Sequence, residues 1–241
     1  MELVKSIYQE RISDIESYFE LVEKVEHCIG EGGELKINSQ DSYRIKPDQQ
    51  KILFAGIYLH IYNLIESTIL TLIDAIERHT TENINNNPLL LNEKVRLLYI
   101  KSTIDPASNI SYEKKIENAL NLFNQITNSN PVIFKIPKGG GGNWDVSEIK
   151  KLSENIGINI RLPKIINQKV EKPFRNDKGP IRLVKEIRNK LAHGAISFTE
   201  CGDNHISSDF RELIDIIKSY LEYIIGQYEI FIEERNYLCP P

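Results

Sequence analysis

The segment from Ile52 to Ile76 constrains this chain most. It is apolar almost all the way round a helix and is interrupted only by scattered polar residues, including His60, Asn63, Glu66 and Asp74. A helix without a polar face must be surrounded by other helices or by lipid. The polar interruptions argue against a membrane span and for the central helix of a bundle. Pro47-Asp48 opens this helix, and the pattern carries it to about His79. The other segments repeat at the same period. Glu2–Ile29 places Ile12, Ile15, Phe19, Val22 and Val25 at spacings of three and four. Leu89–Ser102, Tyr112–Ile126, Val146–Asn155, Pro180–Ala192 and Ser208–Arg235 read as further helices. Gly157 stops the fifth of these segments, counting the central helix as the second. Pro180 suits a first helical position, and Gly194 suits the residue after a helix end. The expectation is an all-α bundle of about six to seven helices, with long central and C-terminal members, forming a single domain over 1–241. An irregular basic insertion is expected at about 128–180. Within it Val132–Ile136 reads as a short strand, 138–145 as a glycine loop, and Leu162–Gly179 as a mobile, proline-punctuated stretch.

Charge is distributed unevenly. The whole chain carries 30 basic and 34 acidic residues, a formal net charge of −4. Residues 101–190 hold 17 basic and 9 acidic residues, a net of +8, and 161–190 alone hold 10 against 3. An acidic body with a strongly basic third is compatible with a polyanionic partner in a way that the total conceals. The first ten residues lack a positive region followed by an apolar run, so no secretory signal is read. Cys28, Cys201 and Cys239 are widely spaced, without a Cys-x-x-Cys pair or a His/Cys cluster. The reading is reduced thiols in the cytoplasm, with no metal site and no cofactor.

The run Lys138 to Asn143 invites a phosphate-loop reading, but its Lys precedes the glycines and no Gly-Lys-Ser/Thr follows. Asp145 suits a helix N-cap and Asn143 a turn. Either this is a capped turn, or it places Asn143 or Asp145 near a polar site.

Among five histidines, His193 stands out for its neighbours: Lys185, Arg188, Asn189 and Lys190 precede it on one helix, and Gly194 follows. Arg188 and His193 are five residues apart, about 140° round an ideal helix, so they share a face only if the last turn loosens. Imidazole suits proton transfer near neutral pH. The other reading is a capping histidine on a basic surface helix.

Arg188-Asn189-x-x-x-His193 resembles the Arg-polar-x3–5-His motif of the HEPN superfamily, the higher eukaryote and prokaryote nucleotide-binding domains. The wider pattern is similar to one prokaryotic subfamily found in defence and toxin–antitoxin gene neighbourhoods. It comprises Val184-Lys185, Leu191-Ala192-His193-Gly194, Ser197-Phe198, Glu200 and Gly202, with Tyr62 to Thr68, Gly141-Gly142-Asn143-x-Asp145, and Glu10-Arg11 to Phe19. The resemblance implies a HEPN-like helical bundle that acts as a metal-independent endoribonuclease. It also implies a homodimer in which two Arg…His motifs form one cleft, with an antitoxin or defence-system partner and no membrane. In that reading His193 transfers the proton, Arg188 stabilises the phosphorane charge and Asn189 orients His193 or the phosphate. Lys185, Lys190 and the basic stretch hold RNA, and Trp144 or Phe174 either stack on bases or serve as core or hinge. Asn63 and Glu66 either pair with each other and with neighbouring helices or point at the Arg188/His193 cleft. Ser197 and Glu200 are further candidates beside it. The alternative is a non-catalytic HEPN module that binds RNA, nucleotide or a partner protein. In one branch of the superfamily, silencing is by nucleotide transfer to a Tyr two residues after the motif His, where this chain has Ala195.

Overall fold

The computed structural model describes residues 1–32, 34–36, 42–103, 111–127, 134–136 and 143–240. The chain is an all-α helical bundle. Its nine described α-helices are α1 (Glu2–Gly30), α2 (Pro47–Asn83), α3 (Glu93–Thr103), α4 (Tyr112–Thr127), α5 (Val146–Ile156), α6 (Lys164–Glu171), α7 (Pro180–Ala192), α8 (Phe198–Cys201) and α9 (Ser207–Glu233). A small antiparallel pair, β1 (Glu34–Lys36) and β2 (Ser42–Arg44), lies between α1 and α2 and pairs Leu35 with Tyr43. The seven helices expected from periodicity are present. The two additional ones, α6 and α8, correct the count of six to seven.

Two compact units are distinguished: residues 2–68 with 162–223, and residues 69–161 with 224–241 and Met1. The chain passes from one to the other within α2 and within α9.

In the first unit, α1 buries Val4, Tyr8, Ile12, Ile15, Phe19, Val22 and Val25, one continuous helical stripe. The first half of α2 buries Phe54, Tyr58, Ile61, Tyr62, Leu64 and Ile65, and α9 buries Phe210, Leu213, Ile217 and Tyr220. Each such large side chain contributes about 1.5–3 kcal/mol through burial. Polar contacts fix the register. The Tyr18 hydroxyl donates to the Leu53 carbonyl at 3.0 Å, and a Cβ on Gly56 would lie 2.3 Å from that hydroxyl. Arg211 pairs with Glu16 at 2.6 Å and lies over the Phe19 ring, 4.3 Å from its centroid. Gly202 approaches α2 so closely that a Cβ would sit 1.9 Å from the Lys51 carbonyl oxygen.

In the second unit, α3 packs with α5. Leu91 and Leu238 form an isolated antiparallel bridge, and the Ser153 hydroxyl meets that of Tyr228 at 3.0 Å. Of the strand expected over Val132–Ile136, the described residues 134–136 form none. Their backbone bonds to side chains of α2 instead: the Ile136 amide donates to the buried Glu77 carboxylate at 2.7 Å, and the Phe134 amide to the Thr81 hydroxyl at 3.4 Å. Glu77 also pairs with Lys135 at 2.7 Å.

The stretch Leu162–Gly179, expected to be irregular, contains α6. Its prolines bracket a helix and do not break one. Pro163 sits at the N-cap, where its fixed φ suits the entry. Lys172, preceding Pro173, is driven to extended geometry and closes the helix. The glycine run 138–142 lies outside the described residues.

α2 contains the only window, among the described helices, long and apolar enough to cross a membrane, and 56% of that window is buried inside the protein. Its place is that of a core helix.

Candidate active site

The motif helix α7 is clamped at both ends. At its start Pro180 occupies the first turn, and Gly179 abuts α6 so closely that a Cβ would lie 2.5 Å from the Val170 carbonyl oxygen. Ile181, Leu183, Val184 and Leu191 are buried, while Lys185, Glu186, Arg188 and Asn189 are half-buried. Glu186 pairs with Lys178 and, at 3.0 Å, with Arg182. The hydrogen bond from Lys178, followed by that from Arg182, outweighs desolvation and holds the Glu186 carboxyl below its ordinary range.

The end of α7 is a Schellman closure. The Ala195 amide donates to the Lys190 carbonyl at 2.8 Å and the Gly194 amide to the Leu191 carbonyl at 3.2 Å. Gly194 takes φ +67°, the left-handed region that glycine enters without strain. His193 is therefore the C-cap, with φ −96° and ψ 4°, the first residue of this stretch outside helical geometry. The His193 amide still makes the helical hydrogen bond to the Asn189 carbonyl, at 3.0 Å. The imidazole is exposed and makes no side-chain hydrogen bond or ion pair with another described residue.

Arg188 is held on three sides. Its guanidinium lies 4.4 Å from the centroid of the buried Tyr62 ring. Nη2 stands 3.5 Å from a Glu66 carboxylate oxygen, and Nη1 donates to the Asn189 side-chain oxygen at 2.9 Å. Arg188 and Glu66 each keep 28% of their side-chain surface exposed, so the cation is oriented yet open to solvent. Tyr62 and Glu66 are four apart on α2 and so share the face that meets α7.

The remaining candidates are distributed differently. Asn63 is exposed and lines a groove of about 330 Å3 with Arg11, Asp14, Leu59 and His60, between α1 and α2. Asn63 and Glu66 thus point at different neighbours. Ser197 and Glu200 form a capping box at the start of α8: the Glu200 amide donates to the Ser197 hydroxyl at 3.1 Å, and the Ser197 amide to the Glu200 carboxylate at 2.7 Å. Lys185 is half-buried beside Arg188 in sequence, whereas Lys190 is exposed and lines a small cavity of about 220 Å3 with Arg175, Glu200 and His205. Asn143 and Asp145 belong to the other unit. There Asp145 caps α5, accepting from the Glu148 amide at 3.0 Å and the Ser147 hydroxyl at 2.5 Å, next to the buried Trp144 and the exposed Asn143. Among the described residues, no three His, Cys, Asp or Glu side chains are gathered at metal-ligand spacing.

A family model described as HEPN_MAE_28990-like HEPN matches residues 4–237. The chain belongs to the HEPN superfamily. HEPN domains are associated with ribonuclease activity and with nucleotide binding, and the match spans both compact units of this member. No curated protein and no solved structure matches the chain.

Two features of this HEPN chain escape a reading of its sequence. Tyr62 falls within the family pattern, but it sits in an apolar run that does not announce its place under Arg188. Its visible signal is the four-residue spacing to Glu66. The second is a cluster around His205, which stacks among Phe54, Tyr58 and Phe210 while Arg175 contacts its ring nitrogens. Burial, with the Arg175 charge adding to it, lowers His205 from 6.5 to about 4.

Proposed function

We propose that the chain is a metal-independent endoribonuclease whose catalytic groups are His193 and Arg188. Two observations on one helix support this reading: an exposed imidazole at the C-cap of α7, and, five residues earlier, a guanidinium oriented by Tyr62, Glu66 and Asn189. His193 takes the proton of an RNA 2′-hydroxyl. The freed oxygen attacks the adjacent phosphorus, the bond to the 5′-oxygen breaks, and that oxygen leaves with a proton taken from water, to which His193 returns its own. The products are a 2′,3′-cyclic phosphate and a 5′-hydroxyl. Arg188 neutralises charge building on the non-bridging oxygens, the kind of stabilisation that is strongest when the cation is held in place beforehand. Asn189 fixes the guanidinium, and Glu66 supports it from behind.

The functional unit is the whole chain, in line with the family match over 4–237. It acts as a homodimer in the cytoplasm, with the motifs of two copies meeting in one cleft. The exposure of His193 in the single chain supports this arrangement. Lys185, Lys190 and the basic residues of 161–190 hold the RNA backbone. A role as a toxin or antiviral effector, restrained by an antitoxin or another defence protein, follows from the same reading.

The test is to incubate the purified protein with RNA in EDTA and identify the product ends. Cyclic phosphates and 5′-hydroxyls are expected. Bound but intact RNA would support the non-catalytic module, and cleavage only with added divalent metal would overturn the mechanism.

A further inference from the structure

A cavity of about 590 Å3 opens between the end of α6, the turn after it and the first turns of α9. That volume lies within the roughly 300–1,000 Å3 usual for small-molecule sites. Lys169, Lys172, Phe174 and Arg175 form one wall, and Asp209 and Glu212 the other. The two carboxylates are three apart on α9, so they share a face. At its Arg175 end the basic wall is held by a tight turn. Asn176 and Asp177 both take left-handed backbone (φ 51° and 56°), giving a two-residue turn closed by Lys178 donating to Arg175 at 3.0 Å and Phe174 donating to Lys178 at 2.8 Å. Arg175 is further tied to the Asn204 carbonyl at 2.8 Å.

Charges of both signs thus face one cavity, yet Lys169, Lys172, Asp209 and Glu212 form no ion pair with another described residue. The Phe174 ring is half-exposed and meets no other described aromatic ring. A ligand that satisfies both walls is anionic at one end, carries adjacent N–H donors at the other, and is flat between them. We propose that this cavity binds a guanine nucleotide. Lys169 and Lys172 take the phosphate, Phe174 stacks on the base, and Asp209 or Glu212 accepts hydrogen bonds from N1–H and the 2-amino group. Of the four RNA bases, guanine alone places two adjacent donors on its pairing edge. Adenine and cytosine set an acceptor beside their donor, and uracil sets one on each side, so a carboxylate repels part of each. Arg175 also lines the smaller cavity that reaches Lys190 on α7. The nucleotide is therefore either free or one residue of an RNA chain extending toward His193. Only the RNA source depends on the ribonuclease reading.

Calorimetric titration of the full chain with GMP, AMP, CMP and UMP tests the site. GMP is expected to bind at least about tenfold more tightly than the others, since a carboxylate that accepts from two adjacent N–H donors disfavours a base that lacks them. Asp209→Asn with Glu212→Gln removes that preference, and Lys169→Gln with Lys172→Gln weakens all four nucleotides, in proteins whose circular dichroism matches wild type. His193→Ala leaves GMP affinity unchanged, which separates this site from the catalytic one. Similar affinity for the four nucleotides in wild type, or GMP binding untouched by both double variants, overturns the proposal. A uridine hexamer carrying one guanosine identifies the source. If it binds more tightly than both GMP and the all-uridine hexamer, the guanine belongs to RNA; if it binds no more tightly than GMP, the ligand is the free nucleotide.

Discussion

At the scale of single residues, Arg188 is positioned by contacts that are individually modest. The partly exposed pair with Glu66 is worth up to about 1 kcal/mol, and the contact with the Tyr62 ring about 0.5–1 kcal/mol. Their effect is orientation more than stability. Glu66→Gln is therefore expected to lower RNA cleavage by about tenfold, the equivalent of about 1.4 kcal/mol, with little change in melting temperature. Arg188→Lys keeps the charge but loses the planar fork that reaches Glu66 and Asn189 together, and is expected to lower cleavage by about a hundredfold or more. A wild-type rate in Glu66→Gln would remove the Glu66 contact from the mechanism, and a wild-type rate in Arg188→Lys would remove the planar fork. The sequence marked Arg188 and His193 through their motif and left the direction of Glu66 open. The Ser197/Glu200 capping box was present in the Ser-x-x-Glu spacing, but four residues of helix are too few to show a period.

At the scale of elements, the placement of His193 rests on how α7 ends. A Cβ on Gly194 would meet nothing within 4 Å, so Gly194→Ala costs only the strain of a left-handed residue, about 1 kcal/mol. The prediction is a small loss of stability and a larger loss of cleavage, measured by melting and initial rates on the same preparation. A second prediction concerns the segment leading into α9. His205 titrates lower in the folded protein than in the unfolded chain, about 4 against 6.5. As pH falls through 6.5 the unfolded chain takes up that proton first, so stability declines between 6.5 and about 4 and this contribution levels off below. His205→Phe should show a smaller drop in melting temperature between about pH 7 and about pH 4.5 than wild type; an equal drop would mean that His205 does not carry the effect. Helix boundaries were legible where the chemistry is local: Pro180, Gly194, Asp145 and Gly157 mark their ends in the structure as they do in the sequence. α6 was not, because its prolines flank it. The β1–β2 pair is too short and polar to announce itself against a loop.

At the scale of the whole molecule, the net charge of −4 averages an acidic body and a basic third. RNA affinity should therefore fall steeply and log-linearly with salt, and neutralising Lys185 and Lys190 together should flatten the slope by about two phosphate contacts. A salt-independent affinity would contradict backbone recognition by these lysines. The helical class was plain from the period of the apolar residues. The division into two units was not, because the apolar pattern of α2 runs through Thr68 and Ile69 without a break and a continuous helix gives no composition signal at the crossing. In the proposed mechanism His193 carries out the chemistry. The direct measurement is RNA cleavage in EDTA by wild type and His193→Ala side by side, at matched helical content and oligomeric mass. Wild type should cleave and the variant should be slower by about 10²–10⁴-fold, the usual contribution of a proton-transfer group; a variant that cleaves at the wild-type rate would contradict the claim.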